Sequence, residues 1–205
     1  MLALLKLEMR ETSPTAPAVE SGVIPAPTAK VRMGGDGGLF AMQNQSLRKL
    51  TRLALVASLV LVATMFLKMT TPTGYIHLGD GVIYGAALAF GPSFAAISGG
   101  LGSAMADILG GYANWAPWTL VIKAVAGWLI GKLGYNQGRT RQLLAMIAGA
   151  AWTVAGYAAA TSIMFSPKAA IAESLGNLAQ VGSGIVIGLF LGPVLSRLAQ
   201  GNGRS

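Results

Sequence analysis

The chain has 205 residues, of which 53% are hydrophobic and only 11% charged, with a mean hydropathy of +0.59. Soluble domains carry roughly 25% charged residues, so this composition is that of a membrane protein. No cysteine is present, which excludes disulfides, thiolate metal sites and a cysteine nucleophile, and a single histidine argues against a metal centre. The net charge of +8 resembles a nucleic-acid signal, but its distribution assigns it to membrane topology, and no nucleic-acid partner is expected.

Residues 1–45 hold Lys6, Arg10, Lys30 and Arg32 against Glu8, Glu11, Glu20 and Asp36, so they are neutral overall. They also contain Pro14, Pro17, Pro25, Pro27 and the run Gly34-Gly35-Asp36-Gly37-Gly38. Apolar periodicity there is too short to offset the entropy of ordering, which predicts a disordered tail, with Met33 and Met42 as alternative starts. Residues 46–200 form the working domain.

Apolar segments follow near 53–67, 81–91, 93–109, 115–133, 143–165 and 169–196. The second and third are short and parted only by Gly91-Pro92, so their local pattern fits two helices or one bent one. Charge decides the count. Arg48, Lys49 and Arg52 precede the first segment, Lys132, Arg139 and Arg141 separate the fourth and fifth, and Arg197 and Arg204 follow the last. Six spans place all three basic clusters on the cytoplasmic side, whereas five would strand two of them outside. The expected fold is an all-α membrane protein, a bundle of six transmembrane helices with both termini cytoplasmic.

The same topology puts Asp80, Asp107 and Glu173, the only acids beyond residue 45, at outer helix ends, level with Tyr75, His77, Asn114, Trp115 and Trp118. Lys123 stands apart from them, inside the apolar run Trp118–Ile130. An ionisable group at bilayer depth is costly, so it is expected to face a polar cavity or a partner. Trp115, Thr119 and Lys123 step by four residues and share one helix face, with Lys123 roughly 12 Å deeper than Trp115. On the fifth segment Thr153, Tyr157 and Thr161 form a second polar line, and on the sixth Glu173, Asn177, Gln180 and Gly184 form a third. Three converging polar lines suit a planar, polar ring compound.

Each element also has a plainer reading. Trp115 and Trp118 fit an interfacial aromatic belt, Asn177 and Gln180 fit interhelical hydrogen bonds, and Asp107 and Glu173 fit solvated helix ends. His77 fits a structural loop position, and Lys123 fits a structural ion pair. Convergence of the lines on one region favours a binding site.

Two stretches carry a family resemblance. One is Thr71-Pro72-Thr73-Gly74-Tyr75-Ile76-His77-Leu78-Gly79-Asp80; the other runs from Ser98-Gly99-Gly100 through Asp107, Gly111-Tyr112 and Asn114-Trp115-Ala116-Pro117-Trp118-Thr119 to Lys123. Over about residues 50–195 the chain resembles the substrate-binding S component of energy-coupling factor (ECF) vitamin transporters, in the group with riboflavin and hydroxymethylpyrimidine members. The resemblance implies capture of a B vitamin or precursor from outside: hydroxymethylpyrimidine or pyridoxine, or else riboflavin. It further implies association with a transmembrane coupling subunit and two ATPase subunits, which would hold the ATP and Mg; this chain itself would need no cofactor. The first outer loop, Pro72 to Asp80, would act as a lid over a pocket among the last three helices. A small-residue motif on the first helix would dock the coupling subunit, and here that is Ala54-Leu55-Val56-Ala57-Ser58, with Ala54 and Ser58 on one face. The candidate substrate-binding residues are then Tyr75, His77, Asp80, Asp107, Asn114, Trp115, Trp118, Thr119, Lys123, Tyr157, Glu173 and Asn177.

The chain contains no P-loop, Gly-x-Ser-x-Gly or His-Glu-x-x-His motif, so any ATP chemistry would belong to partners. Two competing readings stand beside the binding subunit. One is an autonomous carrier using Lys123 and an acid as a proton relay, against which no inverted repeat is evident. The other is an intramembrane enzyme using His77 and Asp80.

Overall fold

A computed structural model describes residues 36–71 and 75–201, with side chains from Asn44 to Leu198. The expected tail therefore lies outside the described residues as far as residue 35, and so does the Pro72–Gly74 part of the expected lid. Residues 36–45, assigned from sequence to the tail, instead form the start of the first helix: the stretch Leu39–Gln45 contains no proline or glycine to break it.

The described residues form six helices and one short hairpin: α1 Asp36–Phe66, β1 Lys68–Thr70, β2 Tyr75–His77, α2 Gly79–Phe90, α3 Pro92–Leu109, α4 Ala116–Gly134, α5 Arg139–Met164 and α6 Pro167–Gly201. Three stretches are long and apolar enough to cross a membrane, Asn44–Phe66, Arg139–Met164 and Pro167–Leu198. The hairpin departs from an all-α fold. Its strands pair antiparallel, Lys68 with His77 and Thr70 with Tyr75.

Gly91 and Pro92 separate α2 from α3 as distinct helices. Gly91 has φ +88°, a conformation costly for residues with a Cβ, and Pro92 begins α3 where its missing N–H is harmless. Helix α2 is the centre of the bundle, with every residue from Gly79 to Ala89 buried. Its twelve residues span roughly 18 Å, and its N-terminal residues Gly79 and Asp80 are buried inside the bundle.

Glycine permits the close approach of α2 and α6. A Cβ at Gly81 would sit 2.4 Å from Ile187, and one at Gly184 would sit 2.8 Å from the Asp80 Cβ. Helix α1 packs through Val56, Val60 and Ala63, spaced i, i+4, i+7, and crosses α3 at Gly102. Its other face, including Ala54, Leu55, Ser58, Leu59 and Val62, is exposed.

Candidate binding site

The short α2 decides what surrounds Lys123. Asp80 begins α2, as a helix-end residue is expected to, and that end is buried against Lys123 of α4. Both side chains are fully buried and form an ion pair at 2.5 Å. The second carboxylate oxygen of Asp80 accepts the Gln180 amide at 2.9 Å, and the ammonium of Lys123 also lies 5.1 Å from the Tyr157 ring centroid. The positive end of α2 adds to the stabilisation of the Asp80 charge. Lys123 thus has a built-in counter-ion, and its charge is satisfied within the protein.

Gln180 ties this buried pair to the hairpin. Its carbonyl accepts the backbone N–H of His77 at 3.0 Å while its amide donates to Asp80. His77 in turn accepts the Gly79 N–H on Nδ1 at 3.0 Å, which leaves the ring proton on Nε2. Burial, reinforced by the neighbouring Lys123 charge, pushes the His77 pKa down to about 3, so the ring is neutral at physiological pH.

Above the ion pair lies a cavity lined by Tyr75, His77, Asp107, Trp115, Thr119, Tyr157, Glu173, Asn177 and Gln180. It is narrow, with about 20 Å³ in which a water-sized group can sit. Members of the three polar lines meet here, Trp115 and Thr119 at α4, Tyr157 on α5, and Glu173, Asn177 and Gln180 on α6, and the hairpin and the end of α3 complete the wall. The Tyr75 hydroxyl donates a short hydrogen bond to Asp107 Oδ1, and burial together with this carboxylate raises the Tyr75 pKa. The Tyr157 hydroxyl donates to Thr119 at 3.1 Å. Thr71 donates to Glu173 at 3.1 Å, joining the hairpin to α6 a second time.

Two buried polar atoms on this wall have no protein partner, Asp107 Oδ2 and Asn177 Nδ2, on side chains each 3% exposed. Buried polar groups are normally hydrogen-bonded, so an unmatched acceptor and donor facing one cavity mark a place for a ligand or water. Trp115 is buried beside Tyr157, with ring centroids 6.0 Å apart, and offers an aromatic face.

Four candidate residues stand apart from the cavity wall. Asp80 and Lys123 form its floor support, Asn114 is exposed, and Trp118 is half-buried against the cluster of Trp115, Ile122 and Tyr157. A turn sets Trp115 inward, and Trp118, three positions on, lies off that face. Gln180 belonged to a polar line in the sequence but not to the candidate set. Its role depends on a strand 103 positions away, which no spacing reveals. Lys68 was also missed; it lies 5.0 Å from the Tyr75 ring centroid and 5.6 Å from that of Tyr112.

Comparison with known proteins identifies the family. Residues 44–197 match the model of a family described as ECF-type riboflavin transporter, S component. A Pyrococcus woesei protein, described only as an uncharacterized protein in gap 3'region, is 38% identical over 143 residues, 67% of this chain and 95% of that one. The thiamine precursor transporter HmpT of Lactococcus lactis subsp. cremoris (strain MG1363) is 30% identical over 165 residues, 79% of this chain and 96% of that one. The chain therefore belongs to the ECF-type riboflavin transporter S component family, and is a membrane protein of vitamin transport.

Proposed function

We propose that this chain is the substrate-capture subunit of an ATP-driven importer in a prokaryotic plasma membrane, taking a B vitamin or precursor from outside. The observation that carries the reading is the cavity between α4, α5 and α6, which has aromatic walls and two unmatched buried polar atoms and is roofed by a hairpin. The likeness to a thiamine precursor transporter supports hydroxymethylpyrimidine or pyridoxine ahead of riboflavin. The hairpin, tied down through Gln180 and Glu173, is the element that would lift to admit the ligand.

In this proposal six helices cross the membrane, with both termini and the 134–141 loop cytoplasmic, and the site opens outward. The exposed Ala54–Ser58 face of α1 docks a transmembrane coupling subunit. Two ATPase subunits hold ATP and Mg and power release inward. Single cysteines at Asn136 and Thr73 test the topology: an impermeant thiol reagent on intact cells should label the second and spare the first. Native mass spectrometry of the purified chain tests the function. One small heterocyclic vitamin or precursor should be retained per chain, and failure to retain any of the three named rings would contradict the proposal.

A further inference from the structure

Helix α4 begins at the cavity and ends in a region that carries only basic charge. Lys132, Arg139 and Arg141 flank the α4–α5 turn, and Arg197 lies near the end of α6. The carboxylates among the described side chains, Asp80, Asp107 and Glu173, all belong to the cavity or its floor. Arg141 donates to the Gln137 side chain at 3.0 Å, whereas Arg139 has no carboxylate partner among the described residues. Arg139 stands on a groove between α5 and α6, of about 350 Å³, whose other walls are Val186, Leu189, Phe190 and Pro193. From Val186 to Pro193 the groove follows roughly 10 Å of helix rise. Phe190, 74% exposed, forms its rim.

We propose that this groove binds one anionic phospholipid, its phosphate on Arg139 and one acyl chain along Val186, Leu189 and Phe190. A guanidinium grips a phosphate through two parallel hydrogen bonds, which sets it apart from a point charge. A basic side chain beside apolar surface between two membrane helices is the arrangement that holds acidic lipid headgroups. The first turn of α5, which begins at Arg139 and has no side-chain cap, adds the positive end of its dipole. Charge complementarity therefore favours an anion, and the apolar walls require that it carry a chain. Five lining residues are few against the roughly 20–30 that a stable protein interface places on each side, which favours a lipid over a second polypeptide. The site is separate from the cavity under the hairpin, with which it shares no residue, and does not depend on what that cavity holds.

The test is native mass spectrometry of the full chain, delipidated in detergent and titrated with dioleoylphosphatidylglycerol or dioleoylphosphatidylcholine. The two lipids share their chains and differ in net charge. Phosphatidylglycerol should be retained at one molecule per chain and at least roughly ten-fold more tightly than phosphatidylcholine, the scale of one charge-assisted hydrogen bond. Arg139→Gln should bring the two within about two-fold, while Arg141→Gln keeps the preference. Phe190→Ala should weaken both lipids, since it removes a wall and no charge. Inorganic phosphate in excess should not displace the lipid. Equal retention of the two lipids by the wild-type chain overturns the inference, and that comparison needs no variant. So does a preference that survives Arg139→Gln, which would place the lipid elsewhere, or displacement by phosphate, which would mean a bare anion site. A chain dimer that Phe190→Ala dissolves would assign the groove to a second copy and overturn it equally.

Discussion

Breaking the buried pair one side at a time is the sharpest perturbation available. Asp80 and Lys123 are both fully buried at 2.5 Å, on helices α2 and α4, with Gln180 as the third member. Removing one partner of such a pair leaves an uncompensated charge in low dielectric, at a cost of about 3–5 kcal/mol. Lys123→Met strands the carboxylate, and Asp80→Asn strands the ammonium while keeping a group able to accept from Gln180. At roughly 2–4 °C per kcal/mol for a chain of this size, each single variant should melt roughly 6–20 °C below wild type. The double variant removes both charges and should recover most of that loss, since an apolar replacement of a buried pair is often close to neutral. Thermal unfolding of the four proteins in one detergent gives the coupling energy directly. Additive losses, or singles that melt like wild type, would refute the claim that Asp80 and Lys123 neutralise each other. Ligand affinity in Lys123→Met should fall only through the distorted floor, a few-fold, because the ammonium is already occupied.

Three further outcomes follow from side-chain placement. Ligand should quench tryptophan fluorescence chiefly through Trp115, so Trp115→Phe should remove most of the response and Trp118→Phe should spare it. Filling the small-residue face of α1 with Ala54→Trp and Ser58→Trp should abolish ATP-dependent uptake by the assembled importer. Affinity of the isolated chain should stay within about two-fold, and parallel loss of both would rule out a docking face. His77 is the sole histidine, so its ring nitrogens give an unambiguous NMR signal in untagged protein. They should show a neutral Nε2–H tautomer without titration from pH 5 to 8. Because the folded pKa, about 3, lies below the ordinary 6.5, the contribution of neutral His77 to stability is complete above about 6.5 and is lost as pH falls toward 3. A midpoint near 6.5 in the folded protein would show an accessible ring.

Polar lines at helical spacing were readable because a polar residue in an apolar helix has few places to go. Trp115 and Thr119, Tyr157, and Glu173 and Asn177 all reach one cavity wall. The partner of Lys123 was not readable, since nothing local states that the N-terminus of α2 is buried against α4. The packing of α2 against α4 brings Asp80 to a lysine 43 positions away. Nor did the hairpin announce itself: three-residue strands leave too little alternation to recognise. Trp118 and Asn114 looked like site residues by proximity in sequence, but the turn before α4 points only Trp115 inward. The start of α1 at Asp36 was obscured by the glycines around it.

Capture without translocation separates the proposed binding subunit from an autonomous carrier. Vesicles containing the purified chain alone, compared with vesicles that also contain a coupling subunit and two ATPases, separate capture from transport in one assay of radiolabelled ligand. Saturable binding without accumulation is expected in the first set, and uptake dependent on ATP in the second. Accumulation by the chain alone, driven by a proton gradient and without ATP, would contradict capture without translocation.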